Sequence, residues 1–513
     1  MEALDWLVIG VFFLALIGII VWVVRQKQND SADYFLGGRD ATWLAIGASI
    51  FASNIGSEHL IGLAGAGASS GMAMAHWEIQ GWMILILGWV FVPFYSRSMV
   101  YTMPEFLERR YNPQSRTILS VISLVSYVLT KVAVTVYAGG LVFQQVFGIK
   151  ELWGIDFFWI AAIGLVVLTA IYTIFGGMKS VLYTSVLQTP ILLLGSLIIL
   201  VLGFKELGGW DEMMRVCGAV TVNDYGDTMT NLIRSNDDAN FPWLGALIGS
   251  AIIGFWYWCT DQFIVQRVLS GKNEKEARRG TIFGAYLKLL PVFLFLIPGM
   301  IAFALHQKYI GAGGEGFLPM LANGTANADA AFPTLVAKLL PAGVKGLVVC
   351  GILAALMSSL ASLFNSSAML FTIDFYKRFR PETPEKKLVG IGQVATVVIV
   401  ILGILWIPIM RSVGDVLYTY LQDVQSVLAP GIAAAFLLGV CWKRTSAQGG
   451  MWGLISGMVI GLTRLGAKVY YSNAGEVADS TFKYLFYDMN WLFFCGWMFL
   501  FLSLIHISEP TRP

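Results

Sequence analysis

The sequence predicts an all-α integral membrane protein with about 13 spans, and three observations lead to that prediction. Of its 513 residues, 57% are hydrophobic and only 13% are charged, and the charges lie between long apolar runs. Runs of about 20 apolar residues match the thickness of a bilayer when they are helical. Lipid offers the backbone no hydrogen-bond partners, so spans are helices or closed barrels, and runs this long exclude a barrel.

The apolar runs and the basic connections between them define the topology. The runs lie near residues 6–24, 43–66, 74–96, 117–147, 157–175, 181–204, 243–266, 281–305, 344–376, 388–410, 414–441, 446–467 and 488–501. Lys and Arg cluster in alternate connections, for example Arg97, Arg109 and Arg110 after the third run. Basic loops stay in the cytoplasm, so the N-terminus is expected outside. The long connections near 205–242 and 306–343 are then external.

Net charge and cysteine content argue against several other classes of protein. The net charge is +2, so a broad basic surface for nucleic acid is not expected. The five cysteines follow neither a disulfide framework nor the spacing of a metal site. The sequence shows no nucleophile–base pair, phosphate-binding loop or metal cluster, and an enzyme is not expected.

Two of the apolar runs contain polar stretches at membrane depth. Residues 52–59 read ASNIGSEH and residues 254–262 read GFWYWCTDQ. Irregular backbone at that depth occurs only where it lines a cavity or is buried in protein, and paired broken helices mark the binding site in many transporters. Because the two stretches lie five runs apart, the sequence predicts two inverted five-helix repeats, at residues 42–204 and 243–441.

Ionisable residues inside the runs are the strongest functional candidates, because each costs a few kcal/mol at the bilayer centre unless it faces a cavity or a partner. They are Glu58, His59, Glu78, Lys131, Asp261 and Lys288. An alternative is that some of them form structural pairs or extend from a helix end towards the membrane surface, and we favour that interpretation for Lys131 and Asp261. Carboxylate, amide and ammonium groups beside aromatic faces suit a neutral polyhydroxylated ligand such as a sugar.

A pair of serines suggests a sodium site. Ser358 and Ser359 lie in the middle of a run, among small residues that let a neighbouring helix approach closely. Sodium takes hard oxygen ligands, and an unwound first stretch would add the carbonyls of Ala52 and Ile55. The alternative is that each hydroxyl simply bonds to the carbonyl four residues earlier.

Longer motifs identify a family. The stretches ASNIGSEHLIGLAGAGASSG, WYWCTDQFIVQRVLSGKN, YLKLLP, MSSLASLFNSSAMLFTIDFYKRF and LAPGIAAAFLLGVCWKR closely resemble the sodium/glucose cotransporters of the solute:sodium symporter family. The resemblance runs from about Asp33 to Arg444. It implies a LeuT-type 5+5 inverted-repeat core with an extra N-terminal transmembrane helix at residues 1–25 and peripheral C-terminal helices at residues 446–501. It also implies Na+ as the coupling ion.

Position by position, the resemblance assigns roles to individual residues. The substrate contacts fall on Asn54, His59, Glu78, Lys288, Gln422, Tyr257 and Trp258. The gates fall on Tyr257, Trp77, Leu63 and Tyr418. Sodium falls on the carbonyls of Ala52, Ile55 and Ala355 and on the hydroxyls of Ser358 and Ser359.

The chain also departs from the family pattern. Ser185 stands where sugar transporters commonly carry Asp, and Ala361, followed by Ser362, stands where members with a second sodium site carry a hydroxyl. Both differences favour one sodium per solute. Gly81 and Gly254 stand where some relatives place a polar side chain, which leaves the hydrogen-bond pattern around the sugar open.

We therefore expect a sodium-coupled symporter that imports a neutral sugar such as glucose or galactose by alternating access. Its expected location is a plasma membrane, as a multi-pass protein of a bacterial inner membrane, and its expected partners are the sugar, sodium and the lipid bilayer. The alternatives are the same mechanism with inositol, sialic acid or another small solute, and a transporter-like sensor or channel. A charged cargo would require a fixed arginine at depth, and the core runs are expected to contain none.

The final stretch, residues 502–513, reads LSLIHISEPTRP and resembles the translation of a sequencing adapter. It turns polar abruptly inside an apolar run, which is not how a span normally ends. We interpret it as an artefact and expect the chain to be truncated there, outside the two repeats.

Overall fold

The structure, a computed structural model, describes residues 1–26, 30–56, 58–321, 324–413, 417–473 and 478–507. The α-helices are α1 Ala3–Val24, α2 Ser31–Leu36, α3 Trp43–Asn54, α4 Ala64–Ser69, α5 Ala75–Ile79, α6 Met83–Ile86, α7 Val92–Ser98, α8 Met103–Arg110, α9 Pro113–Ser126, α10 Ala133–Phe147, α11 Phe157–Leu207, α12 Trp210–Gly218, α13 Trp243–Phe255, α14 Gln262–Leu269, α15 Glu274–Leu287, α16 Ile297–Gly311, α17 Ala331–Leu339, α18 Val344–Met369, α19 Lys377–Phe379, α20 Glu385–Val413, α21 Leu417–Cys441, α22 Ala447–Asn473, α23 Thr481–Lys483 and α24 Trp491–Ile507.

Short segments of other geometry join these helices. The π-helical segments are Glu58–Leu63, Leu87–Phe91, Tyr127–Val132, Trp256–Thr260, Val292–Leu296, Leu370–Tyr376 and Tyr484–Asp488. The 3-10 segments are Gly37–Arg39, Gly71–Met74, Gln80–Trp82 and Ala328–Ala330. Two short strands, β1 Glu151–Leu152 and β2 Ile155–Asp156, pair antiparallel between α10 and α11.

Among the described residues, eight helices are long and apolar enough to cross a membrane. There are nine if the pair Thr481–Asp488 and Trp491–Ile505, bent by 111°, forms one broken span. The predicted total of about 13 includes runs whose helices are broken into pieces shorter than a full span. Trp43–Asn54 and Ala133–Phe147 are two such pieces. The total number of spans therefore stays a prediction.

One long helix covers two of the predicted spans. The 51-residue α11 contains both the run at 157–175 and the run at 181–204, and it kinks at Gly177, where φ is 52° and ψ is −149°. That backbone conformation suits glycine. A Cβ at this position would also lie only 2.5 Å from the carbonyl oxygen of Tyr34. The kink lies at the boundary that the sequence placed between the two spans.

The centre of the protein forms where α18 lies against α11 and α3. The apolar part of the span that contains α18 is 89% buried, whereas that of α1 is only 22% buried. Gly195 and Gly351 let the α11 and α18 backbones approach, because a Cβ at either position would meet a backbone Cα of the other helix at 3.3 Å. Small residues at such contacts are the usual means of bringing membrane helices together.

Both predicted helix breaks are present. α3 ends at Asn54, Ile55 is extended with φ −76° and ψ 101°, and helix resumes at Glu58. The second broken helix runs through α13 and Trp256–Thr260, is interrupted at Asp261 with φ −72° and ψ 127°, and continues as α14. The sequence had placed the two breaks within residues 52–59 and 254–262.

Candidate functional site

A narrow cavity lies beside the first helix break. It is lined by Asn54, Glu58, His59, Trp77, Gln80, Ile253, Tyr257, Trp258, Lys288 and Gln425. Its free space is the size of a water molecule and too small for a sugar ring. The structure therefore represents a closed arrangement of this site.

Three side chains from separate helices meet beside this cavity, which His59 and Lys288 line and Glu78 does not. Lys288 Nζ lies 2.5 Å from Glu78 Oε2 and 2.7 Å from His59 Nε2, and His59 Nε2 lies 3.2 Å from Glu78 Oε1. Each of the three residues is less than 5% exposed. His59 Nε2 thus lies within hydrogen-bonding distance of both the Lys288 ammonium, which donates, and a Glu78 carboxylate oxygen, which accepts. We call this group the His59–Glu78–Lys288 cluster.

The two glycines that the sequence left unexplained make room for the cluster and its neighbour. A Cβ at Gly81 would lie 2.6 Å from Lys288 Cγ, and a Cβ at Gly254 would lie 2.5 Å from Gln80 Oε1. The lysine stem and the glutamine amide thus occupy the space that side chains at these positions would take. Gln80 is a cavity residue that the sequence analysis missed, although an amide two residues after Glu78 in an apolar run was a usable signal.

Several polar atoms around the cavity have no hydrogen-bond partner among the described residues. They are Asn54 Oδ1, His59 Nδ1 and Gln80 Oε1, and all three are buried. Asn54 Nδ2 meanwhile donates to the Tyr257 hydroxyl at 3.0 Å. Because buried polar atoms are nearly always paired in proteins, these three provide hydrogen-bonding capacity for a ligand.

Aromatic rings form another side of the cavity. The ring centroids of Tyr257 and Trp258 lie 4.9 Å apart, and Lys288 Nζ lies 5.5 Å from the Trp258 ring. Trp77, a predicted gate, also lines the cavity and contacts the Trp491 ring at 5.8 Å. Leu63 is 1% exposed.

Two predicted site residues fall on the outer part of α21. The side chains of Gln422 and Tyr418 lie outside the described residues. Gln425, about one helical turn further along, lines the cavity and was not among the predicted residues. Its amide within an apolar helix was the same signal that had pointed to Gln422.

Ser359 reaches the first helix break. Its hydroxyl donates to the Ser53 carbonyl at 2.7 Å and, more weakly, to the Ile55 carbonyl at 3.5 Å. A Cβ at Gly56 would lie 2.9 Å from Ser359 Oγ, so this close approach depends on the glycine. Ser359 therefore contacts the unwound backbone, and its contacts are not those of a serine that bonds back along its own helix.

The other predicted sodium ligands lie on the same two helices. Ser358 Oγ lies 3.2 Å from Ser185 Oγ on α11. Ala52 and Ala355, whose carbonyls the resemblance assigns to sodium, are each 1% exposed and lie on α3 and α18, which pack against each other. The structure thus brings the predicted oxygen donors of the two helices into one region.

A second cavity adjoins the first on the side of these serines. It is lined by Ser53, Asn54, Gly56, Glu58, Lys131, Thr135, Tyr257, Phe263, Ser359 and Leu363. Asn54, Glu58 and Tyr257 line both cavities. Of the residues assigned to sodium, Ser359 lines this cavity, so these shared side chains separate the first cavity from the Ser359 hydroxyl.

Lys131 and Asp261 form a buried pair with each other, which the sequence analysis did not predict although it favoured a structural role for both. Lys131 Nζ lies 2.6 Å from Asp261 Oδ2, and the Tyr127 hydroxyl donates to the same carboxylate. Asp261 also caps α14 by accepting the Phe263 N–H at 3.0 Å. Lys131 lies 4.7 Å from the Tyr257 ring centroid, so the pair supports the predicted gate.

The expectation that the core lacks a buried arginine is wrong. Arg267 is 1% exposed, and its Nε and Nη2 donate to serine hydroxyls, Ser49 at 3.1 Å and Ser53 at 2.7 Å. Its guanidinium also lies 4.9 Å from the Phe263 ring. The residue escaped notice because the apolar run was ended one position before it, next to a basic connection. It does not line the first cavity.

Comparisons with solved structures establish the class of fold. The structure matches a Na+-coupled sialic acid symporter in a substrate-bound outward-open state with a TM-score of 0.78, at 22% identity, over 99% of this chain and 97% of the other. It matches MhsT in complex with L-phenylalanine with a TM-score of 0.56, at 12% identity, over 94% and 100% of the two chains. The fold is therefore that of the LeuT-type transporters, as predicted.

Sequence comparisons then identify the family. The sodium:solute symporter family matches residues 34–457. The chain is 38% identical to sodium/myo-inositol cotransporter 2 of Homo sapiens, over 91% of this chain and 70% of the relative. It is 38% identical to sodium/glucose cotransporter 2 of Rattus norvegicus, over 99% and 78%. The chain belongs to the sodium:solute symporter family: it is a multi-pass membrane transporter coupled to Na+, and not an enzyme.

Proposed function

We propose that this chain imports a neutral polyhydroxylated solute, a hexose such as glucose or galactose, together with sodium. The observation that carries the proposal is the first cavity, where unpaired polar atoms surround the His59–Glu78–Lys288 cluster. A sugar hydroxyl both donates and accepts, so sugar hydroxyls can pair with Asn54 Oδ1, His59 Nδ1 and Gln80 Oε1 once the cavity widens. The rings of Tyr257 and Trp258 offer apolar faces for the C–H surface of the sugar.

Charge around the cavity favours a neutral cargo over an acidic one. The ammonium of Lys288 is already paired with Glu78 at 2.5 Å, and the buried Arg267 is engaged with serines outside the cavity lining. An acid sugar such as sialic acid would bring a carboxylate with no unpaired cation to receive it among the described lining residues. Myo-inositol is the second candidate, because it presents the same ring of hydroxyls and a relative named for it is 38% identical.

Sodium would bind between the first helix break and α18 in this proposal. Its ligands would be the carbonyls of Ala52, Ile55 and Ala355 and the hydroxyls of Ser358 and Ser359. The support for this assignment is the contact of Ser359 with the unwound backbone at 2.7 Å. Sodium held there would brace the break against α18 and favour the outward-open state, so that solute binds more tightly when sodium is present.

We further infer one sodium per solute. Ser185 supplies a hydroxyl where a carboxylate would attract a second cation, and Ala361 supplies no side-chain ligand.

The test is uptake into proteoliposomes with an imposed inward sodium gradient, using labelled galactose, glucose and myo-inositol in parallel. Potassium in place of sodium is the control for coupling, and liposomes without protein are the control for leak. We expect sodium-driven accumulation of a hexose above its outside concentration. Accumulation of myo-inositol alone would select the second candidate.

Other outcomes would contradict the proposal. Binding of a sugar without accumulation would favour a sensor, and equilibration without dependence on sodium would favour a channel. The reversal potential measured with known gradients would give the stoichiometry, and a value for two sodium ions per solute would overturn the one-to-one assignment. Because the mechanism needs an inward sodium gradient, we propose a plasma membrane as the location, and a bacterial origin stays a prediction.

A further inference from the structure

Glu58 is the first residue of the helical segment that follows the first break. Its side chain is half-buried and lines both the first and the second cavity. None of the hydrogen bonds or ion pairs among the described residues involves its carboxylate. Glu58 thus stands out from the other charged residues of the region.

The ion pairs at the two cavities show how Glu58 differs from the other charged residues. In the first cavity Lys288 is paired with Glu78 at 2.5 Å. In the second cavity Lys131 is paired with Asp261 at 2.6 Å. The Glu58 carboxylate lines both cavities, has no hydrogen-bonded cation among the described residues, and interacts with Lys288 only through space.

A half-buried carboxylate without a partner is costly at membrane depth. A monovalent cation on the serine side of the shared wall would offset that cost through the low-dielectric interior. The same carboxylate, once a cation stabilises its charge, can accept hydrogen bonds from solute hydroxyls on the other side. The Glu58 carboxylate can therefore interact with both ligands, and this does not require Glu58 itself to change conformation.

We propose that Glu58 couples sodium binding to solute binding: its carboxylate attracts sodium to the Ser359 side of the shared wall and accepts hydrogen bonds from solute hydroxyls in the first cavity. This inference rests on the proposed function and deepens it, since it names a residue responsible for coupling. Glu58 acts on sodium through space, and the ligands proposed for sodium remain the carbonyls and the two serines. Asn54 and Tyr257 share the same wall but carry no charge, so they cannot replace it.

The experiment uses the full chain and two readouts. The first is titration with sodium alone, followed by intrinsic tryptophan fluorescence, which requires no knowledge of the solute. The second is the affinity for galactose or myo-inositol, whichever the wild type accumulates, measured in saturating sodium and in potassium. The variants are Glu58→Gln, Glu58→Asp as the conservative rescue, and Glu382→Gln, an exposed carboxylate, as the matched control.

We expect Glu58→Gln to raise the sodium concentration for half-saturation about tenfold and to remove most of the sodium dependence of solute affinity. Glu58→Asp should recover part of both effects, and Glu382→Gln should behave as wild type. Unchanged sodium half-saturation in Glu58→Gln would overturn the proposal, as would an equal loss of solute affinity with and without sodium, which would make Glu58 a solute contact only.

Folding and function are kept apart in this design. Thermal unfolding of each purified variant reports its stability, and failure of both Glu58→Gln and Glu58→Asp to fold would overturn the proposal in favour of a structural role. A wild type that accumulates no solute would refute the proposed function. The sodium titration would still decide whether Glu58 attracts the cation.

Discussion

The two broken helices resemble each other in backbone and differ in how their breaks are filled. At the second break, Asp261 caps its own helix and is held by Tyr127 and Lys131. At the first break, Asn54 keeps an unpaired oxygen and Glu58 has no ion pair among the described residues. The second break is closed by charged side chains of the protein, while the first keeps polar groups without such partners among the described residues.

We infer from this difference that the second break serves stability and that the first break serves ligand binding. Lys131 puts a permanent ammonium at the second break, in contact with four aromatic rings, Tyr127, Trp256, Tyr257 and Phe263, at 4.7 to 5.6 Å. A cation that binds and leaves would take the corresponding role at the first break. Irregular membrane backbone needs one arrangement or the other, and a transporter built from inverted repeats can use both.

The largest expected effect comes from removing the buried ion pair at the second break. Lys131→Met should lower the free energy of unfolding by about 3–5 kcal/mol, because it leaves the Asp261 carboxylate buried and unpaired. The double variant Lys131→Met with Asp261→Asn should recover much of that loss. Thermal or denaturant unfolding in detergent measures the stability of both variants.

The matched control is Lys377→Met, which removes an exposed ion pair of 2.9 Å and should cost about 1 kcal/mol or less. Equal losses in Lys131→Met and Lys377→Met would mean that the buried pair has no special role.

The next effect concerns the ligand side of the first break. Glu78→Gln keeps the shape of the side chain and removes the charge that holds Lys288, so solute affinity should fall about 100-fold. Sodium-induced fluorescence changes should persist, because Glu78 does not line the second cavity. Calorimetry with the transported solute provides the measurement, and Glu212→Gln, on an exposed ion pair, is the control. Normal solute affinity in Glu78→Gln would remove the residue from the binding site.

A smaller effect is expected at the proposed sodium site. Ser359→Ala removes a hydroxyl that lies 2.7 Å from the Ser53 carbonyl, and the sodium concentration for half-maximal uptake should rise about tenfold. Thr169→Val, whose hydroxyl bonds back to Leu165 within α11, is the control for losing a buried hydroxyl. If both variants keep wild-type sodium activation, Ser359 is not a sodium ligand.

The sequence was sufficient to predict the helix breaks, because each is a polar stretch inside an apolar run. It also favoured a structural role for Lys131 and Asp261, although it did not predict that the two residues pair with each other. It could not place Lys288 against His59, since residues 229 positions apart in the chain meet only through tertiary structure. Arg267 was missed for a related reason: a charge at the end of an apolar run looks solvated until the helices around it are assembled.

Gly81 is another position at which the sequence alone could not identify a tertiary contact. A glycine in a membrane helix usually indicates a close helix contact, yet its partner cannot be read from the run itself. The structure supplies that partner, the stem of Lys288 at 2.6 Å from the missing Cβ. The family resemblance had identified Gly81 as a departure without explaining it. The explanation is that the Lys288 side chain occupies the space that a side chain at this position would need.

The smallest expected effect tests the loop above the first broken helix. Arg234 in this loop donates to the Ser70 carbonyl at the end of α4 and pairs with Asp238 at 3.5 Å. Burial alone would raise the pKa of Asp238, but hydrogen bonds from Phe241, Asn223 and Asn240 and the charge of Arg234 hold this pKa below its usual value of 3.8. The carboxylate therefore stabilises the loop above pH 3.8, and that contribution is lost as the pH falls through the lower pKa of the folded state. Asp238→Asn should weaken hydrogen-exchange protection of the loop by about 1 kcal/mol at pH 7, and the difference from wild type should shrink below pH 3.8. A difference that stays constant across this range would show that the charge of Asp238 is not what holds the loop over the first break.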